Sequence, residues 1–179
     1  MEKNFAFIDW QNLHLGLKAD GRELDLKRFR VFLADKFHAE EVYYFLGFIS
    51  EKEQELYASL QKAGFIVLFR EHSPALKGKK KGNVDVDIVF EIMKKIIEKE
   101  EFNKVVLVSG DGDYIKLVKY LIEKWRFKKI LFPNRKYSSL YDGIRVTYGM
   151  TLGVPDIRQN LEYKKKGKFK KQAKKKKVS

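Results

Sequence analysis

The chain has 179 residues, 44% of them hydrophobic, which is enough for one domain with a substantial core. No apolar run nears the roughly 20 residues of a membrane span, the start "MEKNFAFIDW" lacks a secretory signal, and cysteine is absent. These features exclude disulfides, thiolate metal sites and a cysteine nucleophile, and lead us to expect a cytoplasmic protein. The net charge of +14 is unevenly spread: ten of the 38 basic residues lie in "KKKGKFKKQAKKKK" (164–177), leaving 28 against 24 acids, or +4, before it. We therefore expect a domain over 1–163 and a disordered lysine-rich tail over 164–179, either merely solvated or an arm for a polyphosphate.

In chain order, the first apolar run is "FAFID" (5–9), ending in an acid, Asp9. An acid there either caps a following helix or faces a site. A helix is expected over 25–38, a strand at "VYYFLGF" (42–48), a helix over 51–63 and a strand at "FIVLFR" (65–70). The segment "EHSPALKGKKKGN" (71–83) reads as a basic loop leading into a helix over 84–100. At about 100° per residue, Val86, Val89, Phe90, Ile92, Met93, Ile96 and Ile97 form one broad apolar face of that helix. Asp85 projects within this face, whereas Asp87 and Glu91 fall with Lys94, Lys95 and Glu98 on the polar side.

Next comes "VVLVS" (105–109), where Ser109 and Gly110 break the strand and Asp111 and Asp113 follow. A helix over 113–125 should turn Ile115, Val118, Leu121, Ile122 and Trp125 inward, with Asp113 at the edge of that face. The last apolar run is "KILF" (129–132). The weakly periodic segment 134–160 should hold a short helix, an edge strand and a final helix starting near Pro155.

Continuous apolar strands alternating with helices indicate an α/β doubly wound fold with a mainly parallel sheet covered on both faces. In such sheets ligands collect at the carboxyl ends of strands where the winding reverses, and the first and fourth strands are commonly neighbours there. Asp9, Asp85, Asp111 and Asp113 would then converge. Crowded carboxylates persist when a cation neutralises them, and hard oxygen donors without cysteine or a histidine pair favour Mg²⁺ or Mn²⁺. Such an ion activates water and stabilises charge at a phosphodiester. Lys77, Lys79, Lys80 and Lys81, just ahead of Asp85, would contact phosphates. His14 is the one histidine close enough after Asp9 to reach the site, and Tyr137 and Tyr141 are candidates for stacking on bases.

In this order, "FIDWQN", "KGNVDVDIVFE" and "LVSGDGDYIKLV" resemble the NYN domain family, particularly its LabA-like branch, within the PIN-like nuclease superfamily. The resemblance covers roughly residues 4–132 and implies a PIN-like three-layer α/β/α fold with strand order 3-2-1-4-5. It also implies a metal-dependent endoribonuclease, with RNA as partner and Asp9, Asp85, Asp111 and Asp113 at the family's acidic positions. Asn12 matches the asparagine of the first motif and supports the acids, as does Ser109; Ser138 matches a recurrent serine and joins the expected RNA contacts. The family's further aspartate after the fifth strand has no clear counterpart in "SSLYDGIRVTYGMTLG", where Asp142 is the nearest acid. The non-enzymatic alternative is a PIN-like domain that binds RNA or serves as an interaction module; a homodimer is compatible with either reading. A dehalogenase-like phosphatase fits poorly because Ser109 and Gly110 separate "DGDYI" from its strand. An EF-hand fails at Ile122, and no P-loop run is present.

Overall fold

Every apolar run becomes a strand, and the central strands are covered on both faces. β1 (Asn4–Asp9), β2 (Ala39–Leu46), β3 (Ile66–Phe69), β4 (Lys104–Val108), β5 (Phe127–Phe132) and β6 (Gly149–Thr151) form one sheet. All its pairings are parallel, in the order β3-β2-β1-β4-β5-β6. This computed structural model describes residues 2–47, 49–70 and 84–162. The basic loop 71–83 and the tail 164–179 thus lie outside the described residues. β6 is the edge strand expected in the late segment, and it extends the five-strand order by one.

Successive residues of a strand point to opposite faces, and this parity builds two cores. Ala6 and Ile8 of β1 pack with Leu13 and Leu17 of α1 (Trp10–Ala19), Phe29 and Leu33 of α2 (Leu26–Phe37), Leu60 of α3 (Gln54–Ala63) and Leu161 of α7 (Pro155–Leu161). Phe5 and Phe7 pack on the other face with Ile88 and Ile92 of α4 (Asp85–Ile97) and with Val118 and Leu121 of α5 (Ile115–Glu123). The short α6 (Arg145–Tyr148) adds Tyr148 to this second layer. The result is helix layer, sheet, helix layer. Among the described residues no helix is long and apolar enough to cross a membrane.

Three local expectations need correction. α1 is a helix beyond those expected; it buries only Leu13 and Leu17, too sparse a pattern to announce itself by periodicity. On α4 the apolar face is narrower than its sequence implies: Val86, Phe90 and Ile97 are exposed, and the buried strip is Asp85, Ile88, Ile92 and Lys95. A helix lying on a sheet covers only part of its circumference, so an apolar arc this wide cannot all be buried. Lys95 joins the buried strip because its Nζ sits 4.4 Å from the Tyr43 ring centroid and 3.1 Å from both Glu100 carboxylate oxygens. Trp125 does not point inward either. It follows α5 in the left-handed region (φ 58°) and is 82% exposed.

The carboxyl-terminal elements are fastened to the α1–α2 connection by one buried guanidinium. Arg22 donates through Nε to Glu162 at 3.0 Å, through Nη1 to the Pro133 carbonyl at 3.1 Å and through Nη2 to the Leu152 carbonyl at 2.8 Å. Leu24 also forms an antiparallel bridge with Glu162. Lysine has one charged nitrogen and cannot reproduce this fork. Arg22→Lys should therefore lower unfolding free energy by about 2–3 kcal/mol, read from urea denaturation; a change under about 0.5 kcal/mol would show that the fork is not a structural tie.

Candidate functional site

Asp9 is an odd-numbered residue of β1, so by strand parity its side chain points with Phe5 and Phe7 into the α4/α5 layer. It is 3% exposed. Its Oδ1 accepts the Asn12 backbone N–H at 3.0 Å and so caps α1, while its Oδ2 lies 3.3 Å from both Ser109 Oγ and the Tyr114 hydroxyl. The capping and site-facing readings of Asp9 are thus geometrically compatible, one oxygen serving each.

β1 and β4 are neighbours, which brings the loop after β4 alongside Asp9. Asn12 Oδ1 accepts the Gly110 N–H at 2.7 Å, and Ser109 Oγ accepts the Asp111 N–H at 3.1 Å. Asp111 in turn accepts the Asp113 N–H at 3.1 Å, closing a 3₁₀ turn over Gly112–Tyr114. From the other side the Tyr141 hydroxyl donates to the Asp111 carbonyl, and the Ser138 N–H donates to the Gly110 carbonyl at 3.0 Å. Gly112 is required by close approach: a Cβ there would stand 2.5 Å from Ser138 Oγ and 3.0 Å from Leu140 Cδ1.

Asp85 begins α4 and is 7% exposed. Asp85, Asp111 and Asp113, which are buried, half-buried and exposed respectively, each offer an oxygen within 4.8 Å of the others. A shared Mg²⁺ at about 2.1 Å from each oxygen needs separations of up to about 4 Å, so small rotations suffice and the all-oxygen donor set fits a hard divalent cation. Asp9 lies outside this trio but is linked to it, because the Tyr114 hydroxyl donates to Asp85 Oδ1 at 2.6 Å while touching Asp9.

A phenol has one proton to donate. With that proton directed to Asp85, the contact with Asp9 is a full hydrogen bond only when Asp9 is itself protonated. Burial is the main cause that raises Asp9 to about 6, the Asp85 charge adds to it, and hydrogen bonds from Asn12, Tyr114 and Ser109 oppose it. Burial, the Asp9 charge and the hydrogen bond to Asp85 hold the Tyr114 phenol far above its ordinary value, so it stays neutral. Burial, followed by the charges of Asp111, Asp113 and Asp85, also raises Tyr141.

The remaining expected residues are placed as follows. Asn12 and Ser109 bind the backbone and side chains of the acidic cluster. Ser138 sits against Gly112 and caps the 3₁₀ turn Ser139–Tyr141 through a 3.4 Å contact from Leu140 N–H. Lys77, Lys79, Lys80 and Lys81 lie outside the described residues. Tyr141 is fully buried and cannot stack on a base, and Tyr137 already stacks on Phe132 with centroids 4.0 Å apart. His14 packs at a tilt against the Trp10 ring and, with Leu17, Leu24 and Leu56, lines a groove of about 1010 Å³ that none of the four acids lines. Asp142 is exposed and pairs with Arg145 at 3.4 Å. Sequence reasoning missed Tyr114 and the anchoring role of Tyr141. The available signal for the former was an aromatic directly after "DGD", the residue that such a turn must direct inward.

A parallel α/β/α sandwich with carboxylates gathered at the ends of its two central strands is a domain of PIN-like type. The chain belongs to the NYN domain family, a family of PIN-like nucleases whose model matches residues 5–140. Among solved structures it is similar to a protein of unknown function from Vibrio parahaemolyticus. That match has a TM-score of 0.71 at 21% identity, covers 90% of this chain and 96% of the other, and is a likeness of fold. Comparison with curated proteins gives no match.

Two outcomes follow for the metal-free protein. The folded-state value of Asp9 is raised from 3.8 to about 6, so its contribution to stability is full below about pH 4 and is lost as pH rises through 6. The loss is on the order of 3 kcal/mol, and Asp9→Asn should flatten it in urea titrations across pH 4–7 in EDTA. Gly112→Ala should cost about 1–3 kcal/mol by forcing the loop from Ser138, whereas Gly143→Ala, with open space around it, should change the denaturation midpoint little.

Proposed function

We infer that this chain is a metal-dependent endoribonuclease of the LabA-like branch, hydrolysing RNA phosphodiesters at the Asp85, Asp111 and Asp113 cluster with Mg²⁺ or Mn²⁺. The observation that carries the reading is the grouping of three carboxylate oxygens within 4.8 Å from two separate elements, α4 and the loop after β4, in a chain of a nuclease family. Asp9, one hydrogen-bonded residue away, completes the acidic set. The order of the three motifs supports the branch, and the cysteine-free composition suits a cytoplasmic setting.

Asp85, Asp111 and Asp113 would hold the ion, which when bound supplies Lewis-acid charge that acidifies water and offsets the negative charge building on the phosphodiester. The chain's own residues do the rest. Ser109 Oγ and the Asp111 carboxylate fix the turn that presents Asp111 and Asp113, and Asn12 holds its hinge at Gly110. The Asp9 Oδ2 oxygen is buried and faces a phenol and a hydroxyl, and burial raises this carboxyl to about 6 in the metal-free protein. Lys77, Lys79, Lys80 and Lys81, together with Ser138, would contact phosphates of the RNA. The tail 164–179 would recruit RNA of any sequence by long-range attraction.

Incubating the full chain with single-stranded and structured RNAs should give cleavage in Mg²⁺ or Mn²⁺ and none in EDTA. Asp111→Asn should reduce the rate by about two orders of magnitude or more while the near-UV circular dichroism stays unchanged, because asparagine keeps the oxygen that accepts the Asp113 N–H. Binding without cleavage in every metal would favour the RNA-binding module instead. Deleting 164–179 should weaken RNA affinity and flatten its salt dependence yet leave the saturated cleavage rate nearly unchanged; a collapse of that rate would assign the tail a role in ordering the site.

A further inference from the structure

The geometry points to Tyr114 as a positioning residue whose hydroxyl sets the amino-terminal end of α4, and with it the Asp85 carboxylate, in register with the acidic turn after β4. The inference rests on the metal-site reading above for its functional consequence, but not for its structural content.

Asp85 and the Asp111/Asp113 pair come from elements that no strand pairing joins at this point. α4 packs across the sheet through Ile88 and Ile92, one and two turns beyond Asp85. Val84, at the capping position, has no side chain that could cap its first turn, and among the described residues no other side-chain cap is seen there. Helices lacking a cap leave their first N–H groups unsatisfied and fray from that end. The structure supplies a different fastening here. Tyr114 ends the same 3₁₀ turn that carries Asp113 and is capped by Asp111. This turn therefore sends two acids towards the cluster and one fully buried aromatic beneath it. The Tyr114 ring sits in the core formed with Val84, Ile88 and Leu107, and its hydroxyl reaches Asp85 Oδ1 at 2.6 Å and Asp9 Oδ2 at 3.3 Å. One oxygen atom thereby touches carboxylates from β1 and α4 while being covalently part of the loop after β4. A short hydrogen bond from a buried, immobile donor fixes the rotation of the carboxylate it binds. Groups that orient a ligand in this way typically change metal affinity by 10–100-fold when removed.

The test is Tyr114→Phe in the full chain, which keeps the ring and removes only the hydroxyl. In metal-free protein, hydrogen exchange followed by NMR should show the Ile88 amide, bonded to the Val84 carbonyl at 3.0 Å, exchanging about tenfold faster or more, while the amide of Val106 in β4 keeps its protection. Equal exchange at Ile88, or an equal loss at Val106, would overturn the registering role. Mn²⁺ alone, titrated by EPR, should bind the variant about 10–100-fold more weakly. The metal concentration for half-maximal RNA cleavage should rise in parallel, with the rate at saturating Mn²⁺ recovering to within a few-fold of the parent. Unchanged Mn²⁺ affinity would overturn the positioning of Asp85. A parent chain that binds no Mn²⁺ would overturn the metal-site reading instead, and the exchange result alone would then decide the role of Tyr114.

Discussion

A carboxylate buried at the junction of two parallel strands is the constraint around which this molecule is arranged. Asp9 ends β1 inside the sheet, where water is excluded, and a charge there is costly unless donors surround it. The chain meets this need from two directions, the first turn of α1 donating through Asn12 and the end of β4 through Ser109. The turn beyond β4 brings the Tyr114 hydroxyl to 3.3 Å, where its oxygen can accept from a protonated Asp9. Each of these residues has a second duty. Asn12 also holds Gly110, Ser109 also holds Asp111, and Tyr114 also holds Asp85. Stabilising one acid therefore positions the other three, and the site is a by-product of satisfying a single buried group.

The second half of the chain supports this arrangement from outside. The segment after β5 folds over the acidic turn, with Tyr137 stacked on Phe132, Tyr141 donating to the Asp111 carbonyl and Ser138 fitted against Gly112. Such a lid of packed side chains is stable only when its own far end is fixed. β6 pairs with β5, and Arg22 ties the carbonyls of Pro133 and Leu152 and the Glu162 carboxylate back to the α1–α2 connection. Local rigidity at the acids thus depends on a guanidinium in a different region of the fold.

The sheet was legible because burial of both strand faces writes itself as unbroken apolar runs, and β1 to β5 each coincide with one. The inward projection of Asp85 was legible for a related reason: an acid among apolar residues at helical spacing contradicts its surroundings, and the structure buries it beside Ile88. What could not be read depends on partners distant in sequence. Val86, Phe90 and Ile97 share the apolar arc of α4 with Ile92, and only the curvature of the underlying sheet decides which side of that arc is covered. Trp125 looked inward by periodicity, but the helix ends at Glu123 and Trp125 itself takes the left-handed conformation beyond it. Arg22 is one arginine among many in a basic chain until the carbonyls 111 and 130 residues away are seen around it.

The same logic separates the acids by what each can do. Asp111 and Asp113 sit on a turn that reaches solvent, where an ion or a substrate phosphate can approach. Asp85 lies between them and the core. Asp9 is deepest, and each of its oxygens faces a group from the loops around it. Depth therefore grades the four carboxylates from exposed Asp113 to buried Asp9. A cation entering from solvent would meet Asp113 and Asp111 first and reach Asp85 next, and its charge would be felt at Asp9 through the space that Tyr114 occupies. Because a positive charge stabilises the ionised form of a buried acid, loading the outer carboxylates would also relieve the strain of the inner one. A cation held there would then be coupled to domain stability through Asp9, the most buried of the four acids.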